Sequence, residues 1–170
     1  MSDELLAASD AGDGDTVTRL LQQGVSVNSQ DEFGETGLHV SAEQGHDDIV
    51  KLFLDHEADV NIRGALDNKT PLMWAAARGH LSITRLLIGR GADLELRDSD
   101  GKTALMWAAE KDFSDIVSEL LTRGAQEDVT NDDNETALQE AEKFSCFDVK
   151  KAARAGHTDV VRILAERGRG

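Results

Sequence analysis

The sequence predicts an all-α solenoid: about five stacked helix–turn–helix units joined by β-hairpin loops. Three observations lead there. Thr36, Thr70, Thr103 and Thr136 lie 34, 33 and 33 residues apart and each opens a similar stretch, the fullest being Thr70-Pro71-Leu72-Met73-Trp74-Ala75-Ala76. A fixed period of this size is the signature of a repeat array, in which no unit can bury its apolar face alone. After each opening stretch comes a second apolar stripe, Ile49-Val50-Phe53, Ile83-Leu86-Leu87 and Ile116-Val117-Leu120, at helical spacing. Between the stripes stand clusters of Asp, Asn and Gly, such as Asp98-Ser99-Asp100-Gly101, which favour tight turns.

Thr70-Pro71-Leu72 through Gly79-His80, followed by Ile83 to Gly91-Ala92-Asp93, resembles the ankyrin repeat. Asp31 to Thr36 and Asp98 to Thr103 resemble the hairpin that opens each such unit. The likeness extends over nearly the whole chain and implies one domain, 1–170, with units near 1–30, 31–64, 65–97, 98–130 and 131–170. It says little about function, because a fold hosts sites rather than being one.

In order along the chain, the first unit reads as a helix pair without a hairpin. Ser2 is placed to cap the first helix, Gly12 to Asp15 to turn, and Val17, Leu20 and Leu21 to face inward. In the second unit Gly34 permits the opening turn, and Glu57 stands where the family has glycine. A left-handed backbone there costs about 1 kcal/mol for a non-glycine residue. Gly64 is the extra residue behind the 34-residue spacing and is expected in the connection. In the third unit Pro71 suits the first helical turn, where a missing N–H is no loss. The fourth unit replaces the glycine–histidine turn with Lys111-Asp112-Phe113. In the fifth the spacing breaks. A longer first helix would absorb the excess; a fresh helix start at Ser145-Cys146-Phe147-Asp148 is the reading favoured here. Ala153 to Arg167 then closes the stack, with Arg162, Glu166 and Arg167 on the wetted side.

Composition narrows the function classes. A formal charge of −15 argues against a phosphate-tracking partner and favours a basic one. One cysteine gives no disulfide framework and suits a reducing compartment, the cytoplasm or nucleus. No basic-then-apolar start and no apolar run of membrane-spanning length is present, so neither leader nor membrane is expected. No cofactor is implied, and a monomer is expected.

Leu38, Leu72, Leu105, Ile49, Ile83 and Ile116 are committed to the core, so function must lie in what stacking leaves free. Projecting the family pattern assigns Phe33, Leu66, Lys69 and Lys102 to hairpin tips. It assigns Trp74, Arg78, Trp107, Glu110 and Lys111 to the outward side of the first helices. Met73 and Met106 are expected in the core. Trp74 and Trp107, equivalent in adjacent units, should stand about 10 Å apart as a paired aromatic platform. Tryptophan and arginine are the residues interfaces favour as anchors. The resemblance therefore implies non-catalytic binding of a protein or peptide segment on the concave face, and the acidic charge implies a basic one.

Other readings are narrower. A structural spacer or assembly scaffold would need no dedicated site. Ankyrin domains that read methylated lysine carry tryptophans at the place of Trp74 and Trp107, but Lys69 and Ala77 stand where a further tryptophan and an acid would be. Ankyrin-bearing palmitoyltransferases use a similar tryptophan to hold extended proline-containing peptides. Cys146 and His157 could pair as nucleophile and base, yet no orienting group or oxyanion cradle accompanies them. His39, His46 and His56 fit no tight metal-ligand spacing. Asn61 resembles a hairpin asparagine modified by asparaginyl hydroxylases, with Phe53 where those targets carry leucine.

Overall fold

The computed structural model describes residues 2–146 and 157–167. Among them are ten helices: α1 (Ser2–Asp10), α2 (Gly14–Gln22), α3 (Gly37–Gln44), α4 (Asp47–Asp55), α5 (Pro71–Arg78), α6 (Leu81–Gly89), α7 (Ala104–Glu110), α8 (Ser114–Thr122), α9 (Ala137–Cys146) and α10 (His157–Arg167). The first helices α1, α3, α5, α7 and α9 pack in series as one layer. The second helices α2, α4, α6 and α8 form the other, and α10 packs on α9 and α8.

Each repeat starts its helix in the same way. Thr36, Thr70 and Thr103 hold extended backbone, and each hydroxyl accepts the N–H three residues on, from His39, Met73 and Met106. That satisfies one of the donors a helix leaves orphaned at its start. Pro71 occupies the first turn of α5. Left-handed Gly45 and Gly79 end α3 and α5, with φ of 87° and 83°. At the equivalent place after α7, Asp112 takes φ 64°.

Rings from one unit seal the glycine of the unit before. His80 lies against Gly45, and Phe113 against Gly79, so closely that a Cβ on either glycine would meet ring atoms at 2.5 and 2.6 Å. Phe113 thus keeps the packing of the missing histidine. It cannot form the hydrogen bond that His46 and His80 each make to a carbonyl, of Asp10 and Glu43, at 2.9 Å.

The core is continuous through the stack. Leu38, Leu72, Leu105, Ile49, Ile83 and Ile116 are all buried, as are Met73 and Met106. Burial of each large apolar side chain contributes roughly 1.5–3 kcal/mol. The second unit is a local variant: Phe53 fills the layer where Leu87 and Leu120 stand in later units. Its ring lies where a Cβ on Gly37 would be, 2.2 Å from Cζ, and later units place Pro71 and Ala104 at that position.

The hairpins are chained edge to edge. Ala65 N–H donates to the Phe33 carbonyl, Ser99 to Asp67 and Asp132 to Asp100, at 2.8–3.0 Å. The residue opening three of the turns accepts two amides with its own side chain: Asp31 from Phe33 and Glu35, Asp98 from Asp100 and Lys102, Asn131 from Asp133 and Glu135. In the second hairpin, which opens the third unit, Gly64 stands in that place with no side chain. Its N–H donates to the Lys69 carbonyl five residues on, where the others span four, so the extra residue lies inside the turn. Glu57 has φ 61°, the strained value expected of it.

At the chain's far end, Ser145 and Cys146 belong to α9 rather than to a helix start. α9 has ten residues where the other first helices have seven to nine, less than one added turn, so the three-turn extension of the alternative reading falls on residues outside those described. Phe147, Asp148 and onward to residue 156 lie outside the described residues. Val160 and Leu164 of α10 are buried, with Arg162 and Glu166 exposed. Helix α1 begins at Ser2 itself.

Candidate recognition surface

Seven of the nine side chains expected to form a site are brought together by α5, α7 and the hairpins before them. Their arrangement is a ladder. The Lys69 ammonium lies between the two indoles, 4.3 Å from the centroid of the Trp74 ring and 4.5 Å from that of Trp107. The rings are therefore closer than a helix diameter, and the space between them is held by this chain's own lysine. Lys69 is only 15% exposed and also pairs with Asp67 at 3.0 Å. The Lys102 ammonium stands 5.0 Å from the Trp107 ring, Lys111 5.7 Å from it, and Arg78 5.9 Å from the Trp74 ring. A cation over an aromatic face is attracted by the ring quadrupole, most strongly where water is scarce.

The two tryptophans differ in one respect. Trp107 Nε1–H donates to Asp98 Oδ2 at 2.8 Å, whereas Trp74 Nε1–H is buried with no partner among the described residues. The cause is the second hairpin: Gly64 stands where the other turns carry Asp or Asn, so no carboxylate is there to accept. Instead the Glu35 carboxyl lies where a Gly64 side chain would begin, 2.4 Å from its Cβ position.

Beyond Trp107 the ladder becomes an ion cluster. Lys102 pairs with Glu110 at 2.6 Å and with Glu140 at 3.1 Å, and Lys111 pairs with Glu110 at 2.8 Å. Asn131 donates to Glu140 at 2.6 Å. Burial works against the charged form of Lys102, but hydrogen bonds to Glu110 and Glu140 and their charges outweigh it, raising the lysine above its ordinary value. Burial likewise opposes ionised Glu110. Hydrogen bonds from Lys102 and Lys111 win, and its carboxyl is held below the usual range. A buried carboxylate paired in this way is tolerable; unpaired it would be costly.

At the opposite end Glu35 is pushed up to about 7, first by burial and then by the carboxylates of Asp67, Asp31 and Glu43, against which Lys69 acts. His39, beneath it, is pulled down to about 4 by burial. Its Nδ1 accepts the Thr36 backbone N–H at 3.1 Å. The neutral ring therefore carries its proton on Nε2, which lies 3.1 Å from the carbonyls of both Ile62 and Lys69. His46 and His56 also bond to backbone carbonyls. The side chains of Cys146 and His157 lie outside those described.

Phe33 and Leu66 sit apart from the ladder, on neighbouring hairpin tips, and among the described residues are the exposed large apolar side chains, at 47% and 73%. Arg78 and Lys111 are exposed; Trp74 and Trp107 are half-buried; Lys102 and Glu110 are mostly covered. Sequence reasoning missed Asp98 and Glu140. The signal was available for one of them: Glu140 falls 33 residues after Trp107 and so takes the tryptophan's place in the next unit.

Helix pairs in series, hairpins along one edge and a row of side chains tied mainly to one another define a repeat-built helical solenoid. The chain belongs to the ankyrin repeat family: the profile described as ankyrin repeats in three copies matches residues 5–98 and 81–169. Such repeats are generally non-catalytic protein–protein interaction modules. It is 40% identical over 85 residues to palmitoyltransferase Hip14 of Drosophila melanogaster, a match covering 50% of this chain and 13% of that protein. It is 40% identical over 81 residues to human ankyrin repeat domain-containing protein 63, covering 48% and 21%. With an ankyrin repeat-containing protein of Schizosaccharomyces pombe it shares 37% over 97 residues, 56% and 44%. The matched part is thus less than half of each of these relatives, and in the palmitoyltransferases it lies in the ankyrin region rather than the catalytic domain. No helix among the described residues is long and apolar enough to cross a membrane.

Proposed function

We propose that this chain binds a segment of a partner protein along the hairpin tips and the outward side of α5 and α7. The observation carrying this reading is the Trp74–Lys69–Trp107 ladder. It supplies aromatic surface already fixed in place, so little side-chain entropy is lost on binding. Because Lys69 fills the gap, a partner meets the ring edges and the exposed Arg78 and Lys111, not an open slot. A foreign methylated ammonium would first have to displace Lys69, so the ladder supports general segment recognition over a methyl-lysine cage.

Acidic groups flank the ladder at both ends. Glu32 and Asp31 lie toward α1. Asp100, Asp132 and Asp133 rim a shallow hollow of about 310 Å³ beside Lys102 at the other end. Carboxylates so placed attract basic flanks and raise the rate of encounter more than the affinity. The reading is of a monomer in the cytoplasm or nucleus with no cofactor.

Affinity measurement on a captured partner tests this. Arg78→Ala combined with Lys111→Ala should weaken binding at least tenfold. Lys51→Ala combined with Arg123→Ala, on the second-helix layer, should change it less than twofold. The reverse pattern would place the interface on the back and favour a spacer or scaffold role.

A further inference from the structure

Phe33 and Leu66 have no structural task in the stack, and the backbone presents them outward in a defined way. Ala65 N–H bonds the Phe33 carbonyl at 2.8 Å, which ties the two tips together. Next to Phe33, Gly34 has φ 73° and packs so tightly that a Cβ there would lie 2.5 Å from the Ala65 nitrogen. The turn therefore keeps Phe33 at the surface. Its ring and Leu6 of α1 line a shallow hollow of about 450 Å³, shared with Asp3, Asp31 and Glu32.

Among the described residues, the charge lining this hollow is one-signed. Asp31 Oδ1 is taken by the amides of Phe33 and Glu35, at 2.9 Å each. Asp3 and Glu32 have no ion pair among the described residues. The nearby cations are engaged elsewhere: Arg19 with Glu4 at 2.8 Å, and Lys69 with Asp67 and the indoles. An apolar floor with an uncompensated acidic rim selects its occupant. Phosphate-bearing or acidic segments are repelled, as is a second copy of a chain carrying −15. A purely basic segment leaves the Phe33 ring uncovered, and a purely apolar one strands the carboxylates.

We infer that this hollow is a subsite for an apolar residue flanked by lysine or arginine in the recognised segment. It rests on the reading of the chain as a segment-binding scaffold, but it is a separate surface from the tryptophan ladder. The apolar side chain covers Phe33 and Leu6 while its basic neighbours meet Asp3 and Glu32. Leu66, one residue beyond the tie at Ala65, extends the apolar surface onto the next tip.

The test is an amide NMR titration of the whole chain with a capped pentapeptide of alternating lysine and leucine. A capped peptide of alternating lysine and serine is the control. Shifts should appear at Asp3, Leu6, Glu32 and Phe33, and the serine peptide should bind at least tenfold more weakly. Phe33→Ser alone, and Asp3→Asn with Glu32→Gln, should each weaken the leucine peptide at least tenfold. These side chains are exposed, and an unchanged spectrum elsewhere confirms the fold. Equal binding of both peptides, indifference to Phe33→Ser, or no shift at millimolar peptide overturns the subsite. Shifts confined to α5 and α7 overturn it while leaving the concave-face reading in place; shifts confined to α2, α4, α6 and α8 remove both.

Discussion

Single residues in this chain hold two adjacent titrating groups whose effects oppose each other. His39 is neutral because its ring is enclosed and its Nδ1 already receives an N–H. Its folded value, about 4, lies below the ordinary 6.5, so its contribution is whole above 6.5 and is lost as pH falls toward 4. Glu35, 3.7 Å away, is shifted the other way to about 7, so its contribution is whole below 4.5 and is lost as pH rises through 7. Asp31, Asp67, Glu43 and Lys69 are the other charges acting on the pair. The intact protein therefore shows little net slope from these two groups. His39→Met, which matches Met73 and Met106 at the same place, isolates one of them. Urea unfolding should show the parent's advantage over this variant shrinking by about 2 kcal/mol between pH 7 and pH 5.

The tryptophans give a second test at this scale. Replacing either with phenylalanine leaves a similar void, but only Trp107→Phe strands Asp98. A hydrogen bond to a charged group contributes about 1.5–3 kcal/mol, while an orphaned buried N–H is better removed. Trp107→Phe should therefore cost at least about 1.5 kcal/mol more than Trp74→Phe in urea unfolding. Equal costs would mean the Asp98 bond contributes nothing. The sequence placed both indoles side by side but not the lysine between them. Lys69 is adjacent in the chain to the Thr70 cap, and nothing in residue type shows that its side chain crosses to the next unit's ring.

Helices and hairpins were the most legible level, because the Thr cap, the apolar period and the glycine stops repeat. Where a unit departs from the pattern, the structure supplies a partner change. Phe53 is larger than Leu87 and Leu120, and Gly37 makes the room. Gly37→Ala alone should destabilise by about 1–3 kcal/mol through overpacking against Phe53 and the Ser9 hydroxyl. In a Phe53→Leu background the same change should be nearly neutral, since alanine is about 1 kcal/mol better than glycine inside a helix. Additive costs in the double-mutant cycle would show that the two positions are not coupled. The hairpin holding Gly64 was less legible. An inserted residue reads equally well as linker or turn until its amide's partner is known, and that partner, the Lys69 carbonyl, lies across the turn.

The molecule as a whole is a series of contacts between neighbours, so stability is spread along it while the tryptophan ladder is concentrated at its middle units. The period in the sequence was sufficient for the fold. It could not say which outward side chains are already bound to one another, because that depends on contacts about 33 residues apart on a surface pattern that varies from unit to unit. Lys102, Glu110 and Glu140 illustrate this: read singly they are surface charges, and together they are a mostly buried cluster. Only Phe33, Leu66, Arg78 and Lys111 of the expected site are well exposed. Hydrogen–deuterium exchange on the chain alone and with a captured partner tests the central claim most directly. The account predicts slowed exchange at the hairpin amides of Phe33, Leu66 and Asp100 and at the ends of α5 and α7, with α2, α4, α6 and α8 unchanged. Protection of those second helices with the hairpins unchanged would contradict it.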